Sequence, residues 1–342
     1  MALVTDIFNQ NAWGVVDFQE EIVERVDFKP QLLGSLGLFQ PMYSRSRVIG
    51  IADRKGVLTL IPTSENGSPP EELIPQGAQV RTRETVRLAK RSTIYAIELA
   101  GVLALPFDEQ TAEIADEVTT RTGQIKNDLE LTWEHMRFGA VQGKVVDADG
   151  VTILVDWYEF WGIEEPEEIN FALNVADTDV RKKCRDLKRA MQKAAKGVWS
   201  PSTKVGALVG DNFFDLLLNH AQIKETKLGT ERAPTLENIE GYSSIEIEGI
   251  VFINYQGTDD GTTIAIGSDK ARFFPIGARG AFQVGWSPAS EFKPYLNKRG
   301  REFYGMVLED KTGRDEWDCV ELYSYPLFIC TRPEMLLRAK AK

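Results

Sequence analysis

The stretch from Asp108 to Gln142, "DEQTAEIADEVTTRTGQIKNDLELTWEHMRFGAVQ", constrains this chain more than any other. Ile114, Val118, Ile125, Leu129, Trp133, Met136 and Ala140 recur at steps of three, four or seven, the single apolar stripe of an amphipathic helix. Asp108 stands at the N-cap position, Glu109 comes next at the positive end of the helix dipole, and Gly143 is the expected C′ stop. A helix from about 109 to about 142 spans roughly 50 Å at about 1.5 Å per residue. Patterns longer than about 25 residues suggest a coiled coil, a membrane span or a repeat. The Glu, Asp, Arg and Lys on the other face exclude a membrane span. The stripe steps by about 3.7 residues rather than 3.5, which disfavours a left-handed coiled coil. The expectation is a rod lying across a sheet.

Ribbons flank this rod. Behind it, "GKVVDADGVTILVDW" places Asp149-Gly150 between two alternating runs, a hairpin turn. Ahead of it, "SRVIGIADRKGVLTLIP" and "QVRTRETVRLAKRSTIYAIEL" read as strands around a Gly-, Pro-, Ser- and Glu-rich tip. Arg81, Arg83, Thr85, Arg87 and Ala89 share one face, and the other face is only weakly apolar. A two-stranded ribbon wet on both faces is marginal in water, so this excursion gains stability by lying against a neighbour. In the first 45 residues, Ile22, Val23 and Val26 suit a short helix, and Pro30, Gly34, Gly37 and Pro41 then break the chain repeatedly. Leu32, Leu33, Leu36, Leu38 and Phe39 call for burial without a local partner, which an extended arm lying on another surface, another subunit's included, explains.

The remainder reads as a mixed α/β body. An acidic loop from about 163 to 179 precedes the basic helix "DVRKKCRDLKRAMQKAAKG", with a stripe of Val180, Cys184, Leu187, Met191 and Ala194 and a stop at Gly197. Val205 to Val209 form a buried strand with a short helix after it; "SSIEIEGIVFINYQG" and "TTIAIGSDKARFFPIG" add strands around a turn at Gly257 to Gly261. The C-terminal strand directs Val320, Leu322, Leu327 and Ile329 inward and ends at Pro333. There is no repeat of fixed period.

Chemistry is absent from this pattern. His135 and His220, the only histidines, have no Cys or Asp at ligand spacing and read as core or surface residues. Cys184, Cys319 and Cys330 are too few and scattered for a disulfide framework, which suits a reducing compartment. "DADG" lacks the rest of a calcium loop, and "GTDDGTT" lacks the lysine of a phosphate loop. The pairs Glu164/Glu165 and Asp259/Asp260 read as solvated loops rather than as an acid and a base. No secretion signal or apolar run of membrane length is seen. A net charge of −11 makes the chain a poor general binder of nucleic acid. The basic helix from Arg181 to Lys196 is the one cationic cluster, either a solvated face or a contact for DNA or an acidic neighbour.

Four stretches carry a family resemblance in register: "VDFKPQLLGSLGLF", "GKVVDADGVTILVDW", "TIAIGSDKARFFPIG" and "YSYPLFICTRPEMLLRAKA". Their order resembles the lambda-like major capsid protein E family of tailed bacteriophages, which has the HK97 fold. The resemblance implies an α+β chain: an N-terminal arm (1–45), an extended β-ribbon loop with flanking strands (46–98), a peripheral domain (99–170 and 300–342) containing the spine helix at about 109–142, and an axial α/β domain (171–299). Asn66, Gly67, Pro69 and Pro70 at the loop tip, with Arg81 and Arg83 on the ribbon, are the expected assembly contacts. The implied partners are other copies of the chain in hexamers and pentamers, a separate scaffold, a portal, a decoration protein and packaged double-stranded DNA bound without sequence specificity. No enzyme activity, catalytic residue, cofactor, metal or membrane is expected, and the place of action is the virion shell, made in the host cytoplasm. The family's lysine–asparagine crosslink is not carried over, since no motif links Lys55 to Asn297. Other readings are a shell subunit of a gene transfer agent or encapsulin, and a soluble α/β enzyme built from unmarked carboxylates.

Overall fold

The computed structural model describes residues 32–53, 79–98, 107–224, 237–239, 242–255, 266–310, 314 and 316–342. The short helix expected around Ile22, the loop tip with Asn66, Gly67, Pro69 and Pro70, Lys55, the turn at 257–261 and Asp259/Asp260 lie outside the described residues.

The rod is helix α2, Phe107–Gln142, whose 36 residues span about 54 Å. It begins ahead of Asp108, which therefore lies in the first turn instead of at the N-cap; helix ends shift by a residue at little energetic cost. Gly143 stops it as expected. Its φ is +85°, its N–H donates to the Ala140 carbonyl at 3.1 Å, and a Cβ there would run into the Tyr158 ring. Val118, Ile125, Leu129, Trp133, Met136 and Ala140 are buried, as the stripe requires. Thr122, Glu134, Phe138 and Val141 are buried as well. The single stripe thus widens toward the C-terminal half, because that half is covered from several directions.

Two small sheets and a hairpin supply the cover. An antiparallel sheet orders β14 (Tyr304–Glu309), β15 (Trp317–Ser324) and β4 (Leu88–Tyr95). A second places β13 (Phe282–Trp286) between β1 (Gln40–Tyr43), parallel to it, and β16 (Pro326–Cys330), antiparallel. Trp133 sits between Trp286 and Phe303, with ring centroids at 4.7 and 4.5 Å. The hairpin joins β5 (Lys144–Val146) to β6 (Ile153–Asp156), then runs into α3 (Trp157–Trp161), capped by the Asp156 carboxylate. Val320, Leu322, Leu327 and Ile329 are buried as expected, on two strands in different sheets instead of one, because the chain changes sheet at Tyr325.

The segment from 79 to 95 likewise forms two strands where one was expected. Among the described residues, β3 (Gln79–Glu84) pairs only with β2 (Val48–Asp53), and β4 begins after Arg87. Thr85 is buried at the switch, where its N–H reaches the Arg47 carbonyl and its hydroxyl pairs with Ser287 at 2.6 Å, so the ribbon's ladder ends there.

A seven-stranded sheet forms the other half, ordered β7 (Ile169–Asn170), β17 (Leu337–Lys340), β12 (Lys270–Ile276), β8 (Lys204–Val209), β11 (Ile250–Asn254), β10 (Tyr242–Ile247) and β9 (Glu237–Ile239). Strand β8 is apolar and buried from Val205 to Val209, as befits an interior strand. Helices α4 (Val180–Ala194) and α5 (Asp211–Asn219) share its core through Val180, Cys184, Leu187, Met191, Phe213 and Leu217. Ala194 is only partly buried, and Ala195, the C-cap residue of α4, is buried in its place. The final strand β17, from the 300–342 segment, is inserted into this sheet, and β13, from the 171–299 segment, pairs with strands of the α2 half.

The Trp133 sandwich makes a direct test. Trp133→Ala should cost about 3–5 kcal/mol in chemical denaturation, and Trp133→Asp, which buries an unpaired charge, should give no soluble folded chain.

Candidate assembly interface

Among the described residues, the histidines and most of the candidate carboxylates have structural roles. His135 Nε2 lies 3.1 Å from the Asp147 carbonyl and pins the hairpin to α2; His220 Nε2 lies 3.2 Å from the Val175 carbonyl. Asp149 turns its carboxylate onto the N–H groups of Val151 and Thr152 and the Thr152 hydroxyl, so the "DADG" carboxylate closes the turn. Glu164 is exposed, but Glu165 is not a solvated loop residue: it accepts from Lys144 at 2.8 Å and from Arg338 at 2.6 Å, bracing the hairpin against β17. Beside it, Arg272 on β12 is held below the usual guanidinium range, chiefly by burial and then by Arg338. The three cysteines are buried and unbridged. Among the described residues no group of His, Cys, Asp and Glu could hold a metal, and no helix is long and apolar enough to cross a membrane.

On the basic helix, Asp179 caps the N-terminus by accepting from Lys182 N–H, and Arg181 and Arg185 face Glu248 at 4.0 and 3.3 Å. Lys183 donates to the carbonyls of Asn170 and Phe171. Much of its charge therefore serves the chain's own packing.

The arm ends on the chain's own spine. Helix α1 (Leu32–Ser35) buries Leu32 and Leu33 to 1% exposure, and Leu38 is buried in the same core. The expected placement on another subunit is thus corrected for residues 32–43. The residue that the sequence hid is Glu134, 1% exposed on α2. Its carboxylate accepts from the N–H of Leu33 at 2.8 Å and of Gly34 at 3.2 Å, and from Tyr255 Oη at 3.4 Å, while Arg137 stands 3.5 Å away. A carboxylate a hundred residues downstream supplies the N-terminal cap that α1 lacks in its own sequence. Burial pushes the Glu134 carboxyl up, opposed by those two N–H donors and Arg137. One turn earlier, burial lifts Glu130 to about 7, opposed by Lys126 and Arg137 and reinforced by Glu302. The available signal was Phe138 and Val141, which extend the apolar sector to the face holding Glu134.

Arg81 and Arg83 secure the ribbon to the same chain. The Arg81 guanidinium lies over the rings of Phe160 and Trp161, at 5.9 and 5.8 Å, and Arg83 donates to the Leu154 carbonyl at 2.8 Å. Opposed residues of an antiparallel pair share a face, so Ile49 and Ile51 lie on this inner side, and both are buried. The outer face presents Val48 and Val80, 42% and 63% exposed, with Gly50 and Thr82 between them. On the adjoining hairpin, Val151 and Ile153 are 81% and 54% exposed. The outcome is a ribbon with its inner face fixed and an outer face on which exposed Val48 and Val80 stand beside exposed Thr82 and Glu84.

A family model described as phage major capsid protein E matches residues 20–341. The major capsid protein of Salmonella phage Felix O1 is 26% identical over 264 residues, covering 66% of this chain and 70% of that one. A crystal structure of a capsid protein from a prophage of E. coli CFT073 superposes with a TM-score of 0.59 at 15% identity, over 95% of this chain and 98% of that one, and shares the fold.

The buried carboxylates give two testable outcomes. Glu134→Ala leaves two N–H groups without an acceptor and should cost about 1–3 kcal/mol for each, with faster amide exchange at Leu33 and Gly34 than in Glu134→Gln. Glu130 titrates at about 7 in the folded chain against an ordinary 4.5, so folding favours its protonated form. Its contribution is full below 4.5 and is lost as pH rises through about 7, and Glu130→Gln should flatten that part of the stability–pH curve.

Proposed function

We propose a division of labour for this chain, which belongs to the phage major capsid protein E family, has the HK97-like fold, and is a structural, non-enzymatic subunit of the phage head shell in the virion. Copies of it associate into multimers. The ribbon is the segment that reaches a neighbouring subunit, and its outer face of Val48 and Val80 is the observation that carries this reading. Apolar area of this kind is stabilised when a second surface removes it from water, at about 25 cal/mol per Å². Residues 46–98 act as the extended loop, with Asn66, Gly67, Pro69 and Pro70 at the contact with the neighbour and Arg81 and Arg83 as the clamp that aims it. Of residues 1–45, assigned as the arm, 32–43 lie on the chain's own core, where Glu134 holds α1, so the reach to a neighbour is assigned to the part before them. Residues 99–170 and 300–342 are assigned to the peripheral domain and 171–299 to the axial domain that meets its copies in hexamers and pentamers, with strands exchanged at the border: β7 and β17 join the axial sheet and β13 the peripheral one.

The same reading assigns a separate scaffold, a portal, a decoration protein and packaged double-stranded DNA as partners. The net charge of −11 supports a wall that does not trap DNA as it enters, because like charge repels phosphate.

Negative-stain electron microscopy with sedimentation tests the assignment. The wild-type chain should form closed shells, tubes or capsomer rings. Deleting 66–70 should leave the melting temperature unchanged and reduce the yield of particles, and an undiminished yield would remove the ribbon tip from the contact. Arg83→Ala should lower particle yield less than the deletion does, because Arg81 still holds the ribbon.

A further inference from the structure

We propose that the knuckle formed by residues 44–47 and 293–301 is a docking surface for an acidic face of a second copy of this chain. The inference rests on the reading of the chain as a shell subunit. Two segments far apart in sequence, "SRSR" and "KPYLNKRGR", meet here. Ser44 N–H donates to the Trp286 carbonyl at 2.8 Å, Gly300 N–H donates to the Ser44 carbonyl at 2.7 Å, and the Arg299 guanidinium lies 4.9 Å from the Tyr43 ring centre. Arg45, Arg47, Lys293, Lys298, Arg299 and Arg301 are all exposed. Two carboxylates stand among them, and both are engaged within the chain: Glu291 accepts from Arg87 and Tyr325, and Glu302 accepts from Tyr43. Arg45, Lys293 and Lys298 make no ion pair with a described residue. A cationic knob therefore stands on a molecule whose net charge is −11.

The knob is rigid. Buried Tyr295 packs on Tyr304 with ring centres 4.8 Å apart, and the Tyr304 hydroxyl accepts from Arg301 N–H and donates to the Ser287 carbonyl. Gly300 lies so close to the Trp286 carbonyl that a side chain could not be placed there. Asn297 holds the left-handed φ of +58° that turns the tip outward. At that tip Leu296 is 49% exposed, with exposed Lys293, Lys298 and Arg299 on either side of it in the sequence. A preorganised loop with an apolar tip and a charged rim suits a protein partner, since its ordering cost is already met in the free chain. A phosphate backbone would use the cations and leave Leu296 in water. In a shell built of copies of one acidic chain, the acidic surface at hand belongs to another copy, and cations facing it also relieve the repulsion between like-charged copies.

The test compares wild type with Lys293→Glu/Lys298→Glu and with Leu296→Ser, all exposed positions at which folding should be unaffected. The expected result is an unchanged melting temperature, and a concentration threshold for particle formation raised about tenfold in the charge-reversed variant and by less in Leu296→Ser. High salt should raise the wild-type threshold toward that of the variant. Variants that assemble at the wild-type threshold would overturn the proposal. So would variants that assemble normally but bind less double-stranded DNA, an outcome that assigns the knob to nucleic acid. Wild type that forms no particles would count against the shell reading itself. In that case sedimentation velocity of small oligomers at low salt still decides the knob: weaker association of the charge-reversed variant supports it, and identical sedimentation overturns it.

Discussion

The burial of the C-terminal half of α2 is the constraint on which the rest depends. From Ile125 to Val141 this helix is covered by β15 and β16, by the end of the arm and by the hairpin directly after it. Trp133 is the centre of that packing, gripped by Trp286 from β13 and Phe303 from the segment before β14. Without the helix, the two three-stranded sheets would each leave an apolar face in water, and the two-stranded hairpin would be marginal alone. The rod organises them into one core.

Two polar devices fix how elements meet on that core. Glu134 sits buried on α2 and spends its carboxylate on the Leu33 and Gly34 N–H groups in the first turn of α1. A buried carboxylate is tolerated only where its oxygens are occupied, and here two amides, a phenol and Arg137 occupy them. The second device is Glu165 between Lys144 and Arg338, with Lys270 on Glu168 beside it, joining the hairpin side of the molecule to β12 and β17. These contacts set orientation, since apolar packing alone is indifferent to small slides of one surface on another.

The proposed assembly role rests on the apolar side chains that this arrangement leaves exposed. The ribbon's inner face is clamped by Ile49, Ile51, Arg81 and Arg83, so its outer face projects at a fixed angle. A shell wall is built of subunits that present such faces in a fixed geometry and complete their burial on one another. Among the described residues, the two histidines, Asp149 and Glu165 are occupied in turns and struts, and the three cysteines are buried.

The sequence by itself determined the local elements. The stripe from Val118 to Ala140 dictates a long helix, Gly143 its end, Asp149-Gly150 a hairpin, and the run Val205–Val209 a buried strand, because each signal is a periodicity or a turn preference carried by neighbouring residues. Only the tertiary structure decided the rest. That Glu134 caps a helix a hundred residues away, that the chain changes sheet at Thr85 and Tyr325, that Leu32 and Leu33 bury on their own spine, and that Arg45 and Lys298 share one knob all depend on pairings between distant segments. Such pairings are set by which surfaces fit when the core closes, and a buried acid or a strand break has the same local sequence whether its partner is solvent or a distant amide.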